Sequence, residues 1–233
     1  MIHKAFVTIM VELYFSQNSS MQLPFFPLRS IFFPGETVPL HIFEERYKQL
    51  IMDCRSEATT FGIPVYINNE LAFGTEVQLV EVVNTYEGGE MDVVCVGRQV
   101  FKVLSFHNNL PNKLYAGGEV GFLEDIYDAS DDIKIKVLGK IKVLYDLMEE
   151  PFKALPLEKF NLYGLIHKIG LSYEQEYQLL QIQNESERFK LVDTHLNITI
   201  DILREIDRTK GAIKMNGDFK NFDPLDFKDF KIN

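Results

Sequence analysis

Few side chains in this sequence have the types and spacing that chemistry requires. Its 233 residues include five histidines (His3, His41, His107, His167 and His195) and two cysteines, Cys54 and Cys95. No histidine lies within ligand spacing of another and the cysteines form no CxxC pair, so no metal site is expected. No G-x-x-x-x-G-K-[ST] segment occurs, and the glycines are too scattered to cradle a phosphate. No nucleophile, base and acid recur in a pattern that suggests catalysis. What remains are groups suited to holding a chain. Arg29 and the run Glu44-Glu45-Arg46 have the charges to clamp a peptide terminus. Glu44 and Glu45 would also open a helix, where backbone dipoles favour acids, so a structural role comes first. His41 reads either as a polar anchor in a peptide groove or, more simply, as a ring hydrogen-bonded to backbone, because buried polar groups need partners.

Composition narrows the class. A hydrophobic share of 46% with 25% charged residues supports an ordinary core. The formal charge of -10 argues against a nucleic-acid partner, whose phosphates demand a basic surface. Two free thiols fit a reducing cytoplasm. No window has the apolar length of a membrane span. Met1–Phe15 faintly resembles a signal peptide, but Glu12 interrupts it and no small-x-small cleavage site follows, so secretion is not expected. Residues 1–20 read as an extension, either upstream of a natural start at Met21 or a short helix lying on the domain.

The elements that must position these groups begin with Leu23–Phe26, a strand. Pro27–Gly35 is a kinked crossing, because each proline removes a ladder donor. Val38–Ile42 is a second strand and Glu44–Cys54 a helix whose buried face is Tyr47, Leu50, Ile51 and Cys54. Phe26, Leu28, Val38, Leu40 and Ile42 are the expected core. Phe61–Leu123 reads as β: a short run at Phe61–Ile67, a strand from Val77 to Val83, a turn at Gly88-Gly89, a return strand at Met91–Val96, and a last strand at Tyr115–Leu123. The Gly-Gly pair supplies positive φ for the hairpin. Gly97-Arg98 interrupts the return strand, where a glycine suggests a bulge or corner, before Val100–Phe106 continues it.

From the acidic run Glu124–Asp132, read as a solvated connector, the pattern becomes helical as far as Lys210. Ile133, Val137, Ile141, Leu144 and Met148 form one stripe. Leu157–Ile169 is a second helix. Ser172–Gln175 and Asn184–Glu187 are capping boxes opening a third and a fourth. The stripe of the fourth is Val192, Leu196, Thr199, Leu203 and Ile206. The tail 211–233 carries Phe219, Phe222, Phe227 and Phe230 without a period.

The segment Leu23-Pro-Phe-Phe-Pro-Leu-Arg29, then Phe33-Pro-Gly35, then Pro39-Leu-His41 and a helix with Glu45 and Arg46, resembles the opening of the Lon protease N-terminal, substrate-binding domain. Gly97-Arg98-Gln99-Val100-Phe101-Lys102-Val103 is similar to a later motif of that family, with one extra residue between Arg and Phe. The Leu179-Leu180…Ser186-Glu187-Arg188-Phe189 run looks like its helical part. The resemblance covers residues 21–207. It implies an α+β fold: a PUA-like small β-barrel over 21–125, a C-terminal helical bundle over 126–210, and the tail 211–233. The ATPase and protease modules of full Lon proteases have no counterpart here.

The resemblance therefore implies a non-enzymatic, cytoplasmic, proteolysis-associated protein without cofactors that binds unfolded or degradation-bound polypeptide. It also leaves open an adaptor for a partner protease or chaperone, or a small-molecule-binding PUA-like domain. Without tryptophan or a cysteine quartet, the ligand cage of cereblon is not expected. The candidate peptide contacts are Phe32, Phe33, Pro34, His41, Phe43 and Tyr47. The crossing is too short to bury both phenylalanines, so one ring should face inward and the other stay partly exposed.

Overall fold

The protein is described from a computed structural model covering residues 20–153 and 156–215. The readings of residues 1–19 of the upstream extension and of tail residues 216–233 lie outside those residues, whereas residues 211–215, expected to open the tail, continue the last helix.

The prolines of the opening segment set its path. β1 (Met21–Phe25) ends before Phe26-Pro27, and β2 (Thr37–Ile42) begins only beyond Pro34. Between them the chain crosses with a single bridge, Leu28 to Val65. α1 (Glu45–Glu57) follows, starting one residue later and ending three residues later than the sequence predicts, with Ala58 beyond it in the left-handed conformation. It buries the expected face, Tyr47, Leu50, Ile51 and Cys54, together with Lys48. The remaining strands are β3 (Phe61–Pro64), β4 (Phe73–Thr85), β5 (Met91–Val103) and β6 (Ala116–Phe122).

The strands form one six-stranded sheet in the order β2-β5-β4-β3-β1-β6, and β6 pairs again with β5. Hydrogen bonding thus runs in a circuit through β5, β4, β3, β1 and β6, with β2 attached to β5. The circuit depends on β5 changing partner along its length. Residues Met91–Val96 pair with β2, and Phe101–Val103 pair with β6. The change falls at a bulge: Gly97 lies opposite Val77 and Val100 opposite Thr75, so β5 uses one more residue than β4. The strand runs through Gly97-Arg98 without interruption. Two further register shifts insert Val80 and Val83 into β4, and both side chains are exposed. At the hairpin turn only Gly89, at φ 80°, takes the positive φ.

Hydrophobic burial ties these strands to the helices. One core packs Phe26, Val38, Ile42, Phe61 and Cys95 beneath α1. Leu28 and Leu40, expected inside, are only partly buried at its margin. The largest core joins Ile31, Phe33, Val65 and Val100 of the β region to α2 (Asp131–Leu147), α3 (Tyr173–Leu180) and α4 (Glu185–Met215). On α2 and α4 the buried line is Val137, Ile141, Leu144 and Val192, Leu196, Ile200, whereas Met148 and Ile206 are exposed.

Two helix expectations need correction. Leu157–Ile169 is not one helix but two 3-10 turns, Leu157–Lys159 and Leu162–Lys168. Asn161 separates them in extended conformation, its side chain accepting the Tyr163 N–H at 3.0 Å, which restarts the chain as an N-cap does. The Ser172–Gln175 capping box is present. The one at Asn184 is replaced: Asp128 accepts the Ser186 N–H at 2.8 Å, while the Asn184 amide itself donates to Asp128. The acidic connector therefore caps α4 and is not merely solvated.

Phe26 meets Tyr47 edge-on at 4.0 Å and Phe61 at 6.5 Å. Replacing a buried phenylalanine with alanine leaves a cavity, so Phe26→Ala should destabilise the fold by about 3–5 kcal/mol. Chemical denaturation would read this as a lower midpoint; an unchanged midpoint would remove Phe26 from the core.

Candidate functional site

The crossing between β1 and β2 is held against β5 by close backbone approach. A Cβ on Gly97 would overlap the Phe33 carbonyl oxygen, so a side chain there would push the crossing away. The Gly97 N–H donates to the Glu36 carbonyl, and the Gly35 N–H donates to the Gly97 carbonyl, each at 2.9 Å. Thr75 Oγ1 donates to the Phe32 carbonyl at 2.5 Å. So fixed, Phe33 points into the helical core and is fully buried, stacked on Tyr163 with centroids 5.2 Å apart. Phe32, the outward ring, is half-buried.

Where the crossing meets the helices, two cavities of about 560 and 260 Å³ share Pro34, Asp125, Tyr127, Tyr163 and Arg188 as lining. Arg188 is only 3% exposed. Its guanidinium sits 4.8 Å above the Tyr163 ring and donates to Asp125 at 2.5 Å and to the Ile182 and Gln183 carbonyls at 2.8 and 3.1 Å. A buried charge needs such pairing to be tolerated. Burial also pushes the Tyr163 hydroxyl well above its usual range, so it stays protonated. Next to it, Lys134 Nζ lies 3.0 Å from Glu185 Oε2.

A second cluster lies at the end of β2. His41 Nδ1 donates to Asp92 at 2.7 Å, not to backbone. Asp92 also accepts from Tyr86 Oη at 2.6 Å and from the Asn84 amide at 3.2 Å, and these donors, Tyr86 first, hold its carboxyl down at about 2. The His41 ring is 6.1 Å from both Phe43 and Tyr86. Phe43 is 62% exposed.

The six sequence-predicted contacts are therefore not one site. His41 and Phe43 share the β2 end, Pro34 lines the cavities, and Phe32 packs at the margin of the α1 core. Phe33 and Tyr47 are buried, out of reach of a surface ligand. Arg29 lies 5.5 Å from the Tyr66 ring, and Arg46 pairs with Glu44 at 2.8 Å while covering Tyr47. Sequence reasoning missed Tyr86, Asp92, Tyr127 and Arg188. The first two flank the Gly-Gly turn, the only local signal; the others are joined by contacts distant in sequence.

Reactive groups are scarce. Burial raises the Cys54 thiol to about 11 and Cys95 to about 12, which keeps both as unreactive thiols. Among the described residues no cluster of His, Cys, Asp or Glu could hold a metal ion, and no helix is long and apolar enough to cross a membrane.

The fold is mixed α+β, and the solved structures it matches include Lon N-terminal domains. A Lon N-terminal domain protein from Xanthomonas campestris is 27% identical with TM-score 0.58, over 73% of this chain and 95% of that one. The N-terminal domain of a Mycobacterium avium complex Lon protease, 16% identical, shares the fold with TM-score 0.55, over 76% of this chain and 98% of its own. The family model of the ATP-dependent protease La (LON) substrate-binding domain matches residues 22–206. The chain belongs to that family of non-catalytic, substrate-binding domains. No curated protein matches it.

His167 joins the crossing to α3, with Glu36 Oε2 at 3.3 Å and Glu176 Oε1 at 2.9 Å. The Glu36 hydrogen bond, opposed by burial and aided by Glu176, raises its pKa from 6.5 to about 9. A raised histidine pKa stabilises the fold fully below the unfolded value and ceases to do so as pH rises through the folded one. The melting-temperature gap between wild type and His167→Gln should thus be widest below about pH 6.5 and close above about pH 9. A gap that stays constant across that window would mean the ion pairs do not form.

Proposed function

We propose that this protein binds unfolded or degradation-bound polypeptide as an extended segment along β2, with His41, Phe43 and Tyr86 as side-chain contacts. The observation that carries this reading is the open edge. Among the described residues β2 pairs with β5 on one side only, and its alternating burial leaves Thr37, Pro39 and His41 facing outward. An exposed edge accepts an added strand through main-chain hydrogen bonds, while neighbouring side chains supply preference. Large exposed aromatics add contact area at small entropic loss. The anchoring of Asp92 by three donors keeps His41 and Tyr86 in place before any ligand arrives, which lowers the ordering cost of binding.

In this reading the strand circuit is a small barrel of the PUA-like type over residues 21–125, the helices over 126–210 form a bundle, and the protein works in the cytoplasm without catalysis, nucleic acid or membrane. The test is an array of unstructured peptides probed with wild type and Phe43→Ser. Phe43 is solvent-exposed, so the variant should melt like wild type and bind peptide about tenfold more weakly, a loss of about 1.4 kcal/mol. Unchanged affinity would remove β2 as the docking edge.

A further inference from the structure

α4 carries two apolar lines. The first, Val192, Leu196 and Ile200, is buried in the helical core. The second lies about a third of a turn round the helix. It runs from the half-buried Leu191 and His195 to Ile198, Ile202 and Ile206, which are 59, 55 and 45% exposed. Its first half forms one wall of an open groove of about 380 Å³, with Ile182 and Gln175 and Gln178 of α3 opposite. An apolar stripe along a helix normally faces another element. Beyond Ile200 the lack of one is more marked. From Asp201 to Lys210 every residue is exposed except Leu203, yet the helix continues to Met215 through Gly211, a poor helix former. A helix end without tertiary packing is marginal, because burial of one face, more than propensity, supports most helices.

The chain itself supplies a cover at the right place. Residues 216–233 leave from the end of this same helix, and they open with Asn216-Gly217, a dipeptide favoured where a chain reverses. Their phenylalanines follow no helical or strand spacing, but one short word occurs twice: Asp218-Phe-Lys-Asn-Phe222 and Asp226-Phe-Lys-Asp-Phe230. The aromatic area these words carry favours burial over water. The lengths agree. Ile198 lies about 25 Å back along the helix axis from Met215, and a chain leaving Gly217 can span about 33 Å by Phe227. Two rival occupants are less well placed. The upstream extension enters at β1, whose Leu23 and Phe25 belong to a core separate from that of α4. A second copy of the chain would compete with a tethered segment whose effective concentration is roughly millimolar.

We infer that residues 216–233 fold back along this second face of α4. Phe219 and Phe222 lie against Ile206 and Ile202, and Phe227 and Phe230 against Ile198 and the groove beside α3. The interaction surface on α4 is thus one whose partner is the protein's own tail, and the tail holds the outer turns of the helix in place. The inference does not depend on the β2 edge.

The experiment follows amide hydrogen exchange in the full chain. In wild type the amides from Asp201 to Met215 should be protected. The variant Phe219→Ser/Phe222→Ser/Phe227→Ser/Phe230→Ser should make them exchange about tenfold faster, while those of Val192–Ile200 and of β4 stay as they were. Ile202→Ala/Ile206→Ala should have the same effect. Alanine is the better helix former, so faster exchange there cannot come from lost propensity. Fast exchange in wild type would mean that the face is bare and would overturn the inference. Exchange unchanged in the serine variant overturns it too: if the alanine variant alone opens the helix, the face belongs to another occupant. Wild-type protection that rises with protein concentration would assign the face to a second copy instead of the tail.

Discussion

The fold turns on the approach of the Phe33 carbonyl to the backbone of Gly97. At that point β5 carries an extra residue, leaves β2 and takes up β6. Only a residue without Cβ lets the crossing lie this close. The same contact sets the direction of Phe33, and through it the stacking on Tyr163 that seats the helices. A bulge that would look like a local defect in β5 thus decides three things at once: the strand circuit, the path of the crossing and the docking of the helical region.

Charge completes what packing begins. Arg188, whose guanidinium lies over the Tyr163 ring, binds a carboxylate of the connector and two carbonyls that precede α4. Asp128, three residues beyond Asp125, caps the same helix. The connector is therefore fixed at two points, and the cavity it helps enclose has fixed walls. Away from this cavity, the Cys54 and Cys95 thiols are buried with raised pKa, and His167 is engaged by two glutamates. The family to which the chain belongs is one of substrate-binding domains.

The parts legible in the sequence were those set by neighbours in the chain. Prolines at 27 and 34 placed the crossing, the spacing of Tyr47, Leu50, Ile51 and Cys54 gave α1 its face, and Ser172 with Gln175 started α3. Gly97 announced its bulge because few other reasons place a glycine within a valine-rich strand. What stayed hidden depends on partners far away. Asn184 and Glu187 have the letters of a capping box, but Asp128, 58 residues earlier than Ser186, takes the cap. Leu157–Ile169 has helical composition, yet Asn161 finds a better bond in restarting the turn. Phe32 and Phe33 are adjacent aromatics in a crossing without a period, and nothing local distinguishes the ring that faces the core from the one that does not. Arg188 was read only as part of a helical motif, since its value lies in reaching Asp125 across 63 positions.

Pro39 sits in the middle of β2, on its exposed face. An open edge strand is a hazard as well as a receptor, because the groups that welcome one peptide can template an endless stack. A proline cannot donate there, so the ladder along β2 has a gap at its centre. Any segment that pairs with β2 finds continuous bonding for only a few residues on either side of position 39. On the proposed reading the edge is thus self-limiting: the pairing it offers an added strand is short, which works against the stacking of further strands upon it.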